Sequence, residues 1–312
     1  MKQTTAGKIL KQLVDLAPRT GKREALCVAF LCHELDELRI HYRVEKFKNK
    51  IPRFTLARLT ADQHAIPCKG ACFKSGTITD KASIISSWVE CDKPNINFNP
   101  WSDQISQANL YRQPAIAISR ADLPFLLKAE KIKAQVKVTP ENFTTANILI
   151  GNHNNPKNII FAHFDSIETG ATDNGSGVAV TMAAFLQQPE ILKSNLFVLS
   201  GSEELSYDQE PAYWGKGYRE FEKKHAKLLK SAQKIWVADS LGNGPTKITD
   251  QGDLVHLAFP LKNPKTIKSK VRIMHGDMDR LMTVYHSPKD DLEQIQDQFL
   301  NQAVSLLLKN IF

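Results

Sequence analysis

A small set of side chains in the second half of the chain could cooperate in chemistry. His163 and Asp165 stand together in His163-Phe164-Asp165, and Asp173 follows eight residues after Asp165. Further on come the doubled acid Glu203-Glu204, then Asp239, then His286. Two histidines and three carboxylates suit two borderline metal ions such as Zn²⁺. A carboxylate can bridge such a pair, one acid can remain as a base, and another can orient a ligand imidazole. Taken singly, each residue has an ordinary reading. A doubled Glu is usually a solvated helix start, an Asp after a strand is often a helix cap, and a lone His is more often structural.

The elements that carry these residues make the ordinary readings less apt. Residues 159–162 form a short apolar run that reads as a buried strand, and His163 and Asp165 follow it. Residues 196–199 read as a strand before Gly201-Ser202-Glu203-Glu204, and residues 235–238 as one before Asp239. Residues 281–285 read as a strand before His286, and 147–150 and 271–274 as two more strands. Helices are expected at 177–187, about 216–230 and about 292–311. Strands alternating with helices imply an α/β fold with a mainly parallel mixed sheet flanked by helices. Sites in such sheets lie beyond the carboxyl ends of the strands, so four strands deliver His, Glu-Glu, Asp and His to one edge. Asp173 joins them from a loop.

The first part of the chain has another texture. Residues 5–39 read as two helices broken at Pro18-Arg19-Thr20-Gly21, and 41–60 as strand. Residues 61–140 hold short β-like pieces at 84–89, 114–119 and 134–138, and 95–102 reads as loop. This gives a catalytic domain from 1–60 and 141–312, with 61–140 as a small β-rich inserted domain that has no chemistry of its own.

Composition narrows the function classes. The 312 residues are 42% hydrophobic and 24% charged, as in ordinary globular proteins. The net charge of +8 is spread widely, and the dense basic stretch 262–272 lacks interleaved aromatics, so no nucleic-acid partner is expected. No run approaches the ~18 apolar residues of a membrane span, and the opening residues lack the apolar core of a signal peptide. Five cysteines, an odd number confined to the first third, fit reduced thiols in a cytoplasm. Cys68 and Cys72 could be half a zinc site, but no second pair follows. Nothing in the sequence sets an oligomeric state.

Several stretches together resemble the M28 metallopeptidases, the co-catalytic zinc aminopeptidases. They are HFDS at 163–166, GATDNGSGVA at 170–179, LFVLSGSEE at 196–204, VADSLG at 237–242 and YHSPKDDLEQI at 285–295, in family order. The resemblance implies a zinc-exopeptidase fold and two Zn²⁺ ions. It implies that Asp173 bridges the ions, that His163 and Asp239 complete one site, and that Glu204 and His286 complete the other. It makes Glu203 the general acid/base, and Asp165 the partner that fixes the tautomer and ring angle of His163. The substrates implied are peptides with a free N-terminus. Pro114 to Asp122 and the following Leu126-Leu127 resemble the end of a protease-associated domain. Two stretches depart from the family. Residues 274–279 stand where a Ser-Asp-His stretch and a Gly-Ile-Pro turn are common, and Ser240-Leu241-Gly242 stands where Met-Ile-Gly is common. A glutaminyl cyclase with one zinc shares the fold and a similar ligand set, and a non-catalytic binding protein on the peptidase scaffold is the other alternative.

Overall fold

Residues 4–208 and 210–312 are described by a computed structural model. They fold as two units, one of residues up to 49 with 142–278 and 290–312, the other of residues 50–141 with 279–289. Two strands of 20 residues each, Tyr42–Ala61 and Ile132–Gly151, have one part in each unit. Among the described residues, no helix is long and apolar enough to cross a membrane.

The first unit is built on a mixed sheet. Its strands run in the order Lys247–Thr249, Val271–His275, Lys234–Ala238, Asn158–His163, Asn195–Ser200, Ile132–Gly151, Tyr42–Ala61. The four strands from Val271–His275 to Asn195–Ser200 are mutually parallel, and antiparallel neighbours close both sides. Side chains alternate along each strand, so each strand serves two cores. Ile160, Ala162, Phe197 and Leu199 meet one layer of helices, while Ile159, Phe161, Leu196 and Val198 meet the other. This two-sided burial is why the strands read as continuous apolar runs rather than alternating ones.

The first layer holds Thr5–Asp15, Glu24–Glu37, Ser176–Gln187 and Asp297–Ile311, with Leu10, Leu31, Phe185 and Leu307 in its core. Ser176–Gln187 is buried through Phe185 because the first and last of these helices pack on it. The second layer is led by Lys216–Ser231, whose Tyr218 and Phe221 pack edge-on to Phe161.

The second unit contains a four-stranded sheet in the order Lys69–Gly70, Ala115–Ile118, Asn95–Phe98, Ile84–Ser86. Its core includes Ile96, Ile116, Ile118, Leu126 and Val136. Two sequence expectations are corrected here. Residues 95–102 begin with a strand, not a loop, and that strand runs parallel to both of its neighbours. Its alternation is hidden because Asn95 and Asn97 are buried, with the Asn97 amide donating to the Ile116 carbonyl at 3.0 Å. Residues 281–285 are not a strand. Met278–Met282 is a helix followed by turn, and the buried Leu281 and Val284 are three apart, which is helical spacing. The C-terminal helix also begins later than expected, at Asp297, after a 3₁₀ turn at Leu292–Gln294 capped by Asp291.

Candidate metal centre

Strand register does the first part of the placing. Ser200 pairs with His163, and Val237 pairs with Phe161, so the residues just beyond these strands emerge at one edge. His163, Asp173 and Glu204 each offer a ligand atom, and these atoms lie within 4.8 Å of one another. His163 Nε2 is 3.3 Å from Asp173 Oδ1 and 3.8 Å from Asp239 Oδ2. His163 Nδ1 lies 3.2 Å from the Asp165 backbone oxygen and 3.6 Å from its Oδ1. With Nδ1–H directed to Asp165, Nε2 presents its lone pair toward Asp173 and Asp239, as a metal-ligating imidazole requires.

Glu203 and Glu204 are held by their own backbone. Glu203 N–H donates to Asp165 Oδ1 and Glu204 N–H to Asp165 Oδ2, each at 2.9 Å. The turn before them is tight. Ser202 has φ of 53° and its hydroxyl donates to the buried Glu24 carboxylate at 3.0 Å. A Cβ on Gly201 would lie 2.3 Å from Thr145 Oγ1 and 2.7 Å from Phe164 Cζ, so only glycine fits there.

The Asp173 loop uses the same device. Thr172 N–H and Asp173 N–H donate to the two oxygens of the buried Asp290 carboxylate, at 2.9 and 3.0 Å. Gly170 opens this loop at φ of 61°, and the Asp173–Asn174 peptide is cis. Asn174 then ties it to the neighbouring strand end, donating to Ala238 O at 2.9 Å and accepting from Ser240 N–H at 3.3 Å. Arg19, fully buried, donates to the carbonyls of Phe164, Thr169 and Gly170 at 2.7, 2.9 and 2.7 Å, and to Leu13 at 3.2 Å. Its guanidinium therefore spans the chain between His163 and Asp173.

Electrostatics follow from the crowding. Burial pushes the Glu203 carboxyl well up; His163 opposes that, and Glu204, Asp165 and Asp239 add to it. Burial alone would lower His163, but the carboxylates of Asp165 and Asp173, with Glu203 and Asp239, hold it well above the usual imidazole range. Burial raises Asp290 to about 6 against its two backbone N–H donors. Asp165, Asp173, Glu203 and Glu204 are all buried. Such a concentration of buried negative charge is stable when paired or when it holds a metal. One imidazole nitrogen among several carboxylate oxygens is a donor set that suits zinc.

His286 belongs to the second unit, where it is buried in a turn with φ of 49°. Its Nδ1 is 3.0 Å from the Gln107 carbonyl, and its ring stacks on Tyr285 with centroids 3.7 Å apart. Asp290, Glu24 and Asn174 carry no role in the sequence pattern. Asp290 stands inside the YHSPKDDLEQI stretch, and the doubling is its signal: Asp291 alone suffices to cap the following turn.

Residues 146–248 match the family model described as peptidase family M28. No curated protein sequence matches the chain. Among solved structures, the chain is similar to BSAP, a zinc aminopeptidase from Bacillus subtilis, at a TM-score of 0.70 and 17% identity, covering 97% of this chain and 93% of that one. It is also similar to an aminopeptidase from Aneurinibacillus sp. strain AM-1, at a TM-score of 0.61 and 18% identity, covering 97% and 92%. A glutaminyl cyclase from Porphyromonas gingivalis aligns at a TM-score of 0.52 and 11% identity, covering 98% and 96%. The mixed α/β fold is thus the one found in zinc exopeptidases.

Proposed function

We propose that this chain, which carries an M28 peptidase domain, is a zinc aminopeptidase that hydrolyses the first peptide bond of substrates with a free N-terminus. The observation that carries the reading is the buried cluster of His163, Asp173 and Glu204, with Asp239 facing the same imidazole nitrogen. Zinc bound there would polarise the scissile carbonyl and acidify a water. The expected complement is two ions, with Asp173 bridging, Asp239 completing the His163 side, and His286 serving with Glu204. The His286 assignment rests on the sequence resemblance.

The chain's own residues supply the proton chemistry. Glu203 is buried beside the cluster, and its raised proton affinity suits a group that must take a proton and return it. It accepts the proton of the attacking water as the C–O bond forms, and returns it to the leaving amine as the C–N bond breaks. Asp165 keeps Glu203 and Glu204 in place through their N–H groups and keeps the Nε2 lone pair of His163 forward. The positive α-amino group of a substrate would be favoured among these carboxylates, which explains a preference for chain ends. We place the enzyme in the cytoplasm on its cysteine usage, and read 61–140 as a protease-associated-like insertion.

A second reading is favoured by the likeness to the glutaminyl cyclase. There the α-amine of an N-terminal Gln would attack its own side-chain amide and expel ammonia, with no water consumed. One experiment separates them. The zinc-loaded protein is incubated with free and N-acetylated peptides of varied first residue, and products are read by mass spectrometry. Release of the first residue from free peptides only supports the aminopeptidase. Cyclisation of Gln peptides alone, in a protein with one zinc, supports the cyclase. No product from any peptide refutes both.

A further inference from the structure

Residues 61–140 carry no chemistry in the sequence pattern. Within the second unit, however, a short run of that segment grips the turn that carries His286. The Asn99 amide donates to Met282 O at 2.9 Å and to Ser106 Oγ at 3.4 Å. Ser106 Oγ donates to Tyr285 O at 2.6 Å. Gln107 N–H donates to His286 O at 3.4 Å, and Gln107 O lies 3.0 Å from His286 Nδ1. Asn99 and Ser106 are both fully buried. These bonds reach three of the five residues from Met282 to His286, and they come from side chains and backbone of one loop.

We infer that residues 99–107 are a positioning element for His286, with Asn99 and Ser106 as its positioning residues. Gln107 O is a pure acceptor, so it holds the proton on Nδ1 and puts the lone pair on Nε2. Ser106 and Asn99 fix the carbonyls on the N-terminal side of the same turn, and with it the strained backbone at His286. Stacking on Tyr285 sets the ring plane. The inference rests on the reading of His286 as a metal ligand. On that reading, the inserted segment supplies the outer support that a metal-binding imidazole needs, and such support is worth about 10–100-fold in metal affinity.

The test uses the full-length chain and Zn²⁺ alone. Zinc binding is titrated against a competing chelator for the native protein and for Ser106→Ala, Asn99→Ala and His286→Ala. Near-ultraviolet circular dichroism of the Trp88–Trp101 pair, whose centroids are 5.3 Å apart, reports whether the second unit is folded. The expected result is one zinc step weakened about 10–100-fold in folded Ser106→Ala and Asn99→Ala, and lost in His286→Ala. If His286→Ala loses a step while both other variants bind like the native protein, the positioning role is refuted and the ligand reading stands. If His286→Ala binds zinc unchanged, the ligand reading fails and the inference with it. A second measurement does not depend on the folding of Ser106→Ala or Asn99→Ala: ¹⁵N spectra of the histidine rings in the native apoprotein, with His286 assigned by its absence in His286→Ala. A proton on Nδ1 is expected, and a proton on Nε2 overturns the inference.

Discussion

Replacing Asp165 by Asn tests how the site is held, because the substitution keeps the shape and removes one acceptor. Both carboxylate oxygens are in use, one on Glu203 N–H and one on Glu204 N–H, each at 2.9 Å. An amide offers one oxygen, so in either orientation its NH₂ group meets one of these N–H groups. A buried donor left without an acceptor costs about 1–3 kcal/mol. Against this, the Asp165 charge is among those that raise Glu203 and Glu24, so neutralising it relieves repulsion in a buried site. Net destabilisation should therefore lie at the lower end, about 1 kcal/mol, as read from urea midpoints of the apoprotein. His163 keeps its nearest Nδ1 acceptor, since the backbone oxygen of residue 165 at 3.2 Å survives the substitution. Zinc affinity should then fall by only about tenfold, the low end for loss of an outer hydrogen bond. Turnover at saturating zinc should fall further, about a hundredfold, because the backbone under the proposed base is no longer fixed. The assay is hydrolysis of an aminoacyl amide across a zinc titration. Native turnover at saturating zinc would refute the positioning role. A collapse of zinc affinity by a thousandfold or more, with turnover preserved at saturation, would put the role of Asp165 on His163 instead.

Glu203→Gln should retain zinc and lose about 10²–10⁴-fold in kcat, whereas Glu204→Gln should weaken zinc first; the reverse pattern in paired calorimetry and kinetics would exchange the two roles. Arg19→Met removes the donor to four carbonyls and should destabilise by more than about 4 kcal/mol, the range reserved for broken buried networks; an unchanged urea midpoint would contradict it. Asp290→Asn isolates one titration. A carboxyl raised from 3.8 to about 6 on folding favours the native state fully only below its unfolded value, and that contribution is lost as pH rises through about 6. The stability of the native apoprotein minus that of Asp290→Asn should fall by up to ~3 kcal/mol between pH 4 and pH 7, and a flat difference would refute the raised value.

What the sequence could show depended on whether a residue acts through its side chain or through other residues' backbones. His163, Glu203, Glu204 and Asp239 stand one to five residues beyond apolar runs that are strands, so strand topology alone brought them to one edge. His286 does not follow that logic. Its preceding residues are helix and turn, and the apolar residues of 281–285, Leu281 and Val284 among them, resemble a strand's. The strand at Asn95–Phe98 is hidden for a related reason, since its inward side chains include buried asparagines that mimic a loop. Arg19 has no signature in a one-dimensional pattern, and Asp290 has only its doubling with Asp291. Except for Leu13, their partners named above are carbonyls and N–H groups roughly 120–150 residues away in the chain, brought near only by the fold.

The backbone-acting residues also explain why the site is so strongly negative. Asp165 grips the N–H groups of residues 203 and 204, and Asp290 grips those of 172 and 173. The loops that carry Glu204 and Asp173 are thus each held by a second, buried acid behind them. Uncharged acceptors could make such bonds, but a carboxylate takes two adjacent donors at once and its bonds are roughly twice as strong. The consequence is that Asp165, Asp173, Glu203, Glu204 and Asp239 crowd around His163; burial first, and then repulsion between acids, raises the proton affinity of Glu203, and burial with the Asp173 charge raises that of Asp290. A divalent cation would offset that repulsion, so zinc should stabilise the fold as well as complete the site. At a free concentration a hundredfold above its dissociation constant, one zinc step should add about 2.7 kcal/mol to unfolding. A melting temperature that does not move on zinc addition would mean that these acids are balanced without a metal.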